Sequence, residues 1–256
     1  MSKSPNFTLL FIAFSLISCS QVNKKNNDLA IENLKGKISI ITETLYDVEM
    51  QYGEQQTGDT ISRIVSKYNK QGNEVEYYYY NSTKLEWKST SKVNDDGKVV
   101  ESTNYGEDGT VYNSIALKYN EKGNLIEKDS YFTNSSLNEK NIYKYDENNN
   151  RIEYNRYTSD GALFTKYAYQ FDNKGNYIEL EIYLGNNLDS KFKCKYDDNN
   201  NLIEEKVYRP NGAIIREDEY KYDDYDKTGN WLSQTQFEQG KPKSIKRHEI
   251  QYYKAE

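Results

Sequence analysis

One short phrase, returning at a nearly fixed step, limits this chain more than any other feature. It is clearest as Lys118 to Glu127, KYNEKGNLIE. Aligning its variants gives Tyr68, Val93, Tyr119, Tyr145, Phe171, Tyr196 and Tyr225, at steps of 25, 26, 26, 26, 25 and 29 residues. A chain written this way is built from copies of one supersecondary unit, each burying its flank against the next.

The chemistry inside the phrase says which unit. Four residues after each aligned position stands Gly72, Gly97, Gly123, Asn149, Gly175, Asn200 or Gly229. Only Gly and Asn occur there, as a left-handed backbone position requires. The residue after the aligned position is Asn69, Asn94, Asn120, Asp146, Asp172 or Asp197 in six copies, an oxygen able to close the turn. This pattern predicts a hairpin loop made of a type I turn and a left-handed residue. A second aromatic follows twelve residues after each aligned position, at Tyr80, Tyr105, Tyr131, Tyr157, Tyr183, Tyr208 and Phe237. Turn signals such as GEDG (106–109), TSDG (158–161), LGNN (184–187) and RPNG (209–212) come next. Each repeat is therefore strand, turn, strand, turn, and connections this short exclude a parallel sheet. Upstream, LKGKISIITETLYDVEM and ISRIVSKYN read as two strands of a degenerate first repeat joined by a long turn.

The fold class is all-β: a long antiparallel meander of tandem hairpins with roughly 14 to 16 strands, twisted and curled as a single sheet or open barrel. Weakening of the pattern at both ends favours the open form, and a closed cylinder is its rival. Alternation places the aligned aromatic and the branched residue seven after it (Val75, Val100, Ile126, Ile152, Ile178, Ile203, Leu232) on the buried face. Lys67, Lys92, Lys118, Lys144 and Lys195 then share the polar face with Glu76, Glu101, Glu127, Glu153, Glu179 and Glu204, as cross-strand ion pairs.

Composition narrows the function classes. Hydrophobic residues make up 36% of the 256, and 26 residues are Tyr, so the apolar surface is largely aromatic. A formal charge of -6 lacks the basic footprint that nucleic acid demands. The start, residues 1–18, has Lys3, an apolar run from Phe7 to Ile17 too short to span a bilayer, and then Leu16-Ile17-Ser18-Cys19. That tetrapeptide resembles the lipobox of bacterial lipoproteins. The resemblance implies cleavage before Cys19, acylation of Cys19 and a membrane partner reached through that anchor. Residues 19–33 read as lipidated Cys and tether, and residues 34–256 as the repeat domain. With Cys19 lipidated, Cys194 has no disulfide partner and reads as a packed, inert thiol.

KYNEKGNLIE (118–127), KYDENNNRIE (144–153), QFDNKGNYIE (170–179) and KYDDNNNLIE (195–204) resemble the Tyr-Asp repeats of the YD-repeat, or Rhs-type, family. The resemblance covers about residues 34–253. It implies hairpins side by side in a curved sheet, in proteins associated with the cell surface, carbohydrate binding or toxin encapsulation. The step here is longer than in typical YD repeats, and no toxin domain follows.

Catalytic signatures are sparse. His248 is the single histidine, without a nucleophile motif beside it, and reads as an ordinary strand residue. The acid-rich stretches at Asp146–Asn150, Asp197–Asn201 and Asp223–Asp226 could offer calcium oxygens, but other repeats form the same turn without them. No cofactor is expected. The Glu column could supply a glycosidase, yet a column repeated in every hairpin has the form of surface pairing. The second column, with Tyr105, Tyr131, Tyr157, Tyr183 and Tyr208 as candidate ligand-facing rings, suits stacking on sugars or anchoring a protein. The expectation is a non-enzymatic, lipid-anchored envelope protein, at the outer membrane, that binds a glycan or protein partner. A glycan-acting hydrolase and a structural spacer are the alternatives.

Overall fold

In the computed structural model, residues 27–51 and 54–254 are described. A four-residue helix, α1 (Asp28–Ile31), precedes sixteen strands. These are β1 (Ile38–Gln51), β2 (Glu54–Tyr68), β3 (Glu74–Asn81), β4 (Lys84–Val93), β5 (Val99–Gly106), β6 (Val111–Tyr119), β7 (Leu125–Phe132) and β8 (Leu137–Tyr145). They continue as β9 (Arg151–Thr158), β10 (Leu163–Phe171), β11 (Tyr177–Leu184), β12 (Asn187–Tyr196), β13 (Leu202–Tyr208), β14 (Ile214–Tyr225), β15 (Trp231–Glu238) and β16 (Lys241–Tyr252). Every strand pairs antiparallel with its sequence neighbours, as the short turns require.

The sheet closes. β1 pairs with β2 on one side and β16 on the other, so that Ile41 faces both Ser66 and Ile250. The open curled sheet favoured by the fading repeat pattern is thus replaced by its rival, the closed barrel. Closure pairs the backbone N–H and C=O groups that two free edges would leave unsatisfied. The first hairpin is the closing element rather than a cap, and it is nearly all strand: what reads as a long turn continues β2 from Glu54.

The turn chemistry holds in detail. In the β2–β3 loop Asn69 N–H donates to Asn73 O at 2.9 Å and Gly72 N–H to Asn69 O at 2.9 Å, while Asn69 Oδ1 accepts from Gln71 N–H. The left-handed residues have φ of +83° at Gly72, +76° at Gly97, +83° at Gly123, +65° at Asn149, +81° at Gly175, +64° at Asn200 and +82° at Gly229.

Six of these seven turns, all but the one at Gly229, are followed by a register shift that corrects the assignment of faces. Lys118 faces Glu127 but Tyr119 faces Leu125, which leaves Ile126 as the extra residue of a bulge. The same shift recurs at Tyr68/Glu74, Val93/Val99, Tyr145/Arg151, Phe171/Tyr177 and Tyr196/Leu202. The residue six after the aligned aromatic therefore takes the inner face. Ile126, Ile152, Ile178 and Ile203, expected to be buried, lie exposed on the outer wall. Val75, Val100 and Leu232 are half-buried.

The aligned aromatics tie hairpin to hairpin. Tyr119 Oη donates to Val99 O at 2.8 Å, Tyr145 to Leu125 O at 2.8 Å and Tyr196 to Tyr177 O at 3.0 Å. In the last repeat this bond is made by Tyr222, to Leu202 O at 2.9 Å, and not by Tyr225. Tyr222 stands 26 residues after Tyr196, so the long final step is a three-residue insertion behind an intact repeat.

A column missed by the sequence reading links neighbouring turns. Asn73, Asn124, Asn150, Asn176, Asn201 and Asn230 occupy the position after the left-handed residue in six of seven repeats. Asn73 Nδ2 donates to Gly97 O at 2.9 Å, Asn124 Nδ2 to Asn149 Oδ1 at 3.1 Å and Asn176 Nδ2 to Asn200 Oδ1 at 3.0 Å. These three amides cross to the neighbouring turn, where a hydroxyl or aliphatic side chain would leave the gap unbridged, whereas Asn150 Nδ2 donates within its own turn to Asp146 Oδ2 at 2.9 Å.

Candidate functional site in the barrel interior

The two faces of the wall differ in kind. Outside, the repeat is kept: Lys67 faces Glu76 at 2.8 Å, Lys92 faces Glu101 at 3.0 Å, Lys144 faces Glu153 at 2.7 Å and Lys195 faces Glu204 at 2.9 Å. Lys118 and Glu127 pair likewise, and Lys140 and Lys191 reach across to the next hairpin. Such exposed pairs are worth at most about 1 kcal/mol each, and they set columns of alternating charge beside the exposed Ile126, Ile152, Ile178 and Ile203. A lipid-facing barrel instead shows an apolar band about 25 Å tall.

Inside, the repeat is broken. Nine residues after the aligned aromatic, one inner column reads Tyr77, Ser102, Lys128, Tyr154, Leu180, Glu205 and Gln234. One position earlier, the outer column is Glu in six of seven repeats. Sixteen strands is a size at which a barrel can hold a channel, and many inner side chains are only half-buried.

Three groupings line this interior. The first, on β7 to β10, is aromatic and cationic. Tyr143, Tyr154 and Tyr167 stack in series, with ring centroids 5.1 and 5.0 Å apart, and Tyr154 Oη donates to Asn141 Oδ1 at 2.7 Å. Arg151 lies over the rings of Tyr143 and Tyr169, at 5.7 and 5.4 Å. Lys128 stands beside Asn141, and burial pushes its ammonium below the usual range against the pull of Glu139 and Glu74.

The second grouping, on β13 and β14, is an ion triad of two buried carboxylates and a half-exposed Arg216. Arg216 Nη2 donates to Glu205 Oε1 at 2.5 Å, and its Nε lies 2.7 Å from Asp218 Oδ2. Glu205 and Asp218 are 1% and 0% exposed, and desolvation raises the Glu205 carboxyl despite Arg216. Cys194 packs nearby with Tyr177, Leu202 and Tyr220, and burial pushes its thiol up to about 12. That places it as the packed thiol read from the sequence.

The third grouping, on β1, β15 and β16, centres on Glu43. Glu43 receives Lys246 at 3.1 Å and His248 Nε2 at 3.0 Å. His248 also stacks on Trp231, centroids 3.7 Å apart, so it is an inward-facing, partnered residue. A lone His in a strand gave no sign of this, because its partner Glu43 lies 205 positions away.

The candidate rings of the second column take the opposite side. Tyr105, Tyr131, Tyr157, Tyr183 and Tyr208 are half-buried on the outer wall, as strict alternation puts them. Cations cover several: Lys88 lies 5.2 Å from the Tyr105 centroid, Lys166 4.2 Å from Tyr183 and Lys193 5.8 Å from Tyr208. Tyr131 and Tyr183 also donate to Asp129 and Glu181. The acid stretches serve their turns, Asp197 Oδ1 accepting from Asn199 and Asn201 N–H at 2.9 and 2.8 Å. Among the described residues no group of three or more His, Cys, Asp or Glu is placed to hold a metal. Cys19 lies outside the described residues.

No family model matches the chain, and no curated protein does. Among solved structures it is similar to a porin-like protein from Bacteroides uniformis, with a TM-score of 0.54 and 11% identity over 84% of this chain and 96% of that one. A porin-like protein from Bacteroides vulgatus aligns with a TM-score of 0.39 and 14% identity, over 86% of this chain and 99% of that one. The Photorhabdus luminescens Tc holotoxin pore aligns with a TM-score of 0.29 and 15% identity, over 74% of this chain and 12% of that one. The likeness to the Bacteroides uniformis protein is one of β-barrel fold.

Proposed function

We propose that this chain is a lipid-anchored, non-enzymatic receptacle of a bacterial envelope, related to YD-repeat proteins, whose interior receives a glycan or protein partner. The observation that carries the reading is the contrast between the walls. Pairing needs no variation from repeat to repeat, and the outer wall has almost none. A binding site needs particular residues at particular places, and those stand inside. The charged outer wall favours a barrel attached through acylated Cys19 over one embedded in lipid. Seven residues lie between Cys19 and Asn27, eight chain steps with a reach of roughly 28 Å. Repeated turns with an Asn or Asp and a left-handed Gly or Asn support the YD kinship. The carboxylates of Glu205 and Asp218, buried and turned onto Arg216, are poorly placed to meet a substrate, which weighs against a hydrolase.

Full-length protein in detergent, immobilised and exposed to envelope glycan fragments and solubilised envelope proteins, tests this. Retention should fall at least about tenfold in Lys128→Ala and Arg151→Ala and stay unchanged in Tyr131→Ala and Tyr183→Ala. The reverse pattern would move the site to the outer ladder, and no retention of any kind would leave the spacer reading. Protease shaving of intact cells, with Cys19→Ala as the unanchored control, reports the anchor and the side of the membrane.

A further inference from the structure

Residues 27–37 lie across the mouth ringed by the asparagine turns. On one side Asn27 Nδ2 donates to Gln71 O at 2.7 Å and Leu29 N–H to Gly72 O at 3.1 Å. On the other side of the β1–β16 seam, Asn33 Nδ2 donates to Asn199 O at 3.3 Å and Lys35 N–H to Asn230 Oδ1 at 2.8 Å. Leu29 is the apolar pin, 5% exposed and packed on Ile38, Ile41 and Tyr68. A helix of four residues does not hold itself together, so these contacts keep the segment in place.

Docking brings two carboxyl groups onto acidic ground. Asp28 Oδ2 accepts from Glu74 N–H at 2.7 Å, and Tyr68 Oη reaches Glu32 Oε2 at 3.5 Å. The side chains of Glu74 and Glu43 act on the same volume, as do those of Tyr68 and Tyr77. Three lysines face it: Lys98 towards Asp28, Lys128 towards Glu74, and Lys246, which Glu43 shares with His248. Tyr119 meets Asp28, and the flanking turns add Lys35, Asp197, Asp198, Asp226 and Lys227. Of the three facing lysines, Lys246 is the one held in an ion pair with Glu43, at 3.1 Å.

We propose that residues 27–37 are a lid over this mouth, docked while the carboxyl groups of Asp28, Glu32 and Glu74 carry protons and loosened as they ionise. The direction of each group agrees. Burial, then Glu74 and Asp28, lift Glu32 to about 8; burial lifts Glu74 to about 7 and raises Asp28. Glu43 alone goes the other way, held at about 2 against burial by Lys246 and His248. A carboxyl with a raised docked value favours docking below its free value of 4.5, and that preference is lost as pH climbs from there to about 8. This inference is independent of what the interior binds.

Hydrogen exchange of full-length protein in detergent, corrected for the intrinsic pH dependence of exchange, tests it. Between pH 5.5 and 8.5 the protection of the Leu29, Glu32 and Leu34 amides should fall at least about tenfold while the β12 amides stay constant. In the Asp28→Asn, Glu32→Gln double variant the lid amides should stay protected across the range. PH-independent protection in the wild type, an equal fall in the double variant, or a fall shared by the β12 amides would each overturn the proposal. If the double variant fails to fold, Glu74→Gln replaces it, and a fall as large as in the wild type overturns the proposal.

Discussion

Asn176 shows how much one amide can carry here. It is 1% exposed, donates its N–H to Asp172 Oδ1, and spans with Nδ2 to the next turn. Removing it strands buried partners, so Asn176→Ala should lower the urea midpoint by the equivalent of about 1–3 kcal/mol. Asn173→Ala, on the exposed tip of the same turn, should stay within about 0.5 kcal/mol. Equal losses would mean that the asparagine column only decorates the turn. At this scale the chain was partly legible. The left-handed Gly and Asn positions announce themselves, because these two residue types adopt that backbone at the least cost. The asparagine column was equally visible as a pattern, but its purpose depends on the distance to the neighbouring turn, which no single hairpin specifies.

At the scale of the element, the hairpin is the unit and its bulge is the device that matters. Strict alternation sends Ile203 inward; the bulge sends Leu202 inward instead, opposite Tyr196, and turns Ile203 out. The two neighbours should therefore respond in opposite ways. Leu202→Ala, at a side chain 4% exposed, should cost about 2–5 kcal/mol, whereas Ile203→Thr should cost under about 0.5 kcal/mol in thermal or urea unfolding. The contrary result would put the bulge in the wrong place. Sequence periodicity misjudged this position because a left-handed residue adds one residue to one strand, and a period of two inverts after every such addition. The Lys and Glu columns escaped the error, since Lys118 and Glu127 lie on the same side of the shift.

For the whole molecule, the decisive contact is between its ends in sequence. β1 and β16 close the ring through pairs such as Glu43 with His248 and Ile41 with Ile250. A chain ending after Gly240 would lack β16 and expose the long edges of β1 and β15. It should elute as large assemblies by light-scattering chromatography, where the full chain does not, because unpaired edges recruit other strands. A truncated chain of unchanged size and melting temperature would show that closure contributes little. The lid at the turn-ringed mouth belongs to this scale too, since it bridges turns brought together only by the closed ring.

The repeat by itself determined the class of fold, the hairpin, the turn type and the charged ladder of the outer wall, because each follows from interactions within one repeat or with the next. Short-range steric and hydrogen-bonding rules act there, and they are written locally. Only the tertiary structure decided whether the sheet closes, which of two adjacent residues faces inward, and which unlike side chains meet in the interior. Those outcomes depend on accumulated curvature and on partners such as Glu43 and His248, 205 positions apart. Local pattern carries no record of such distances, so the candidate site lay in residues that, read along the chain, looked like departures from the repeat.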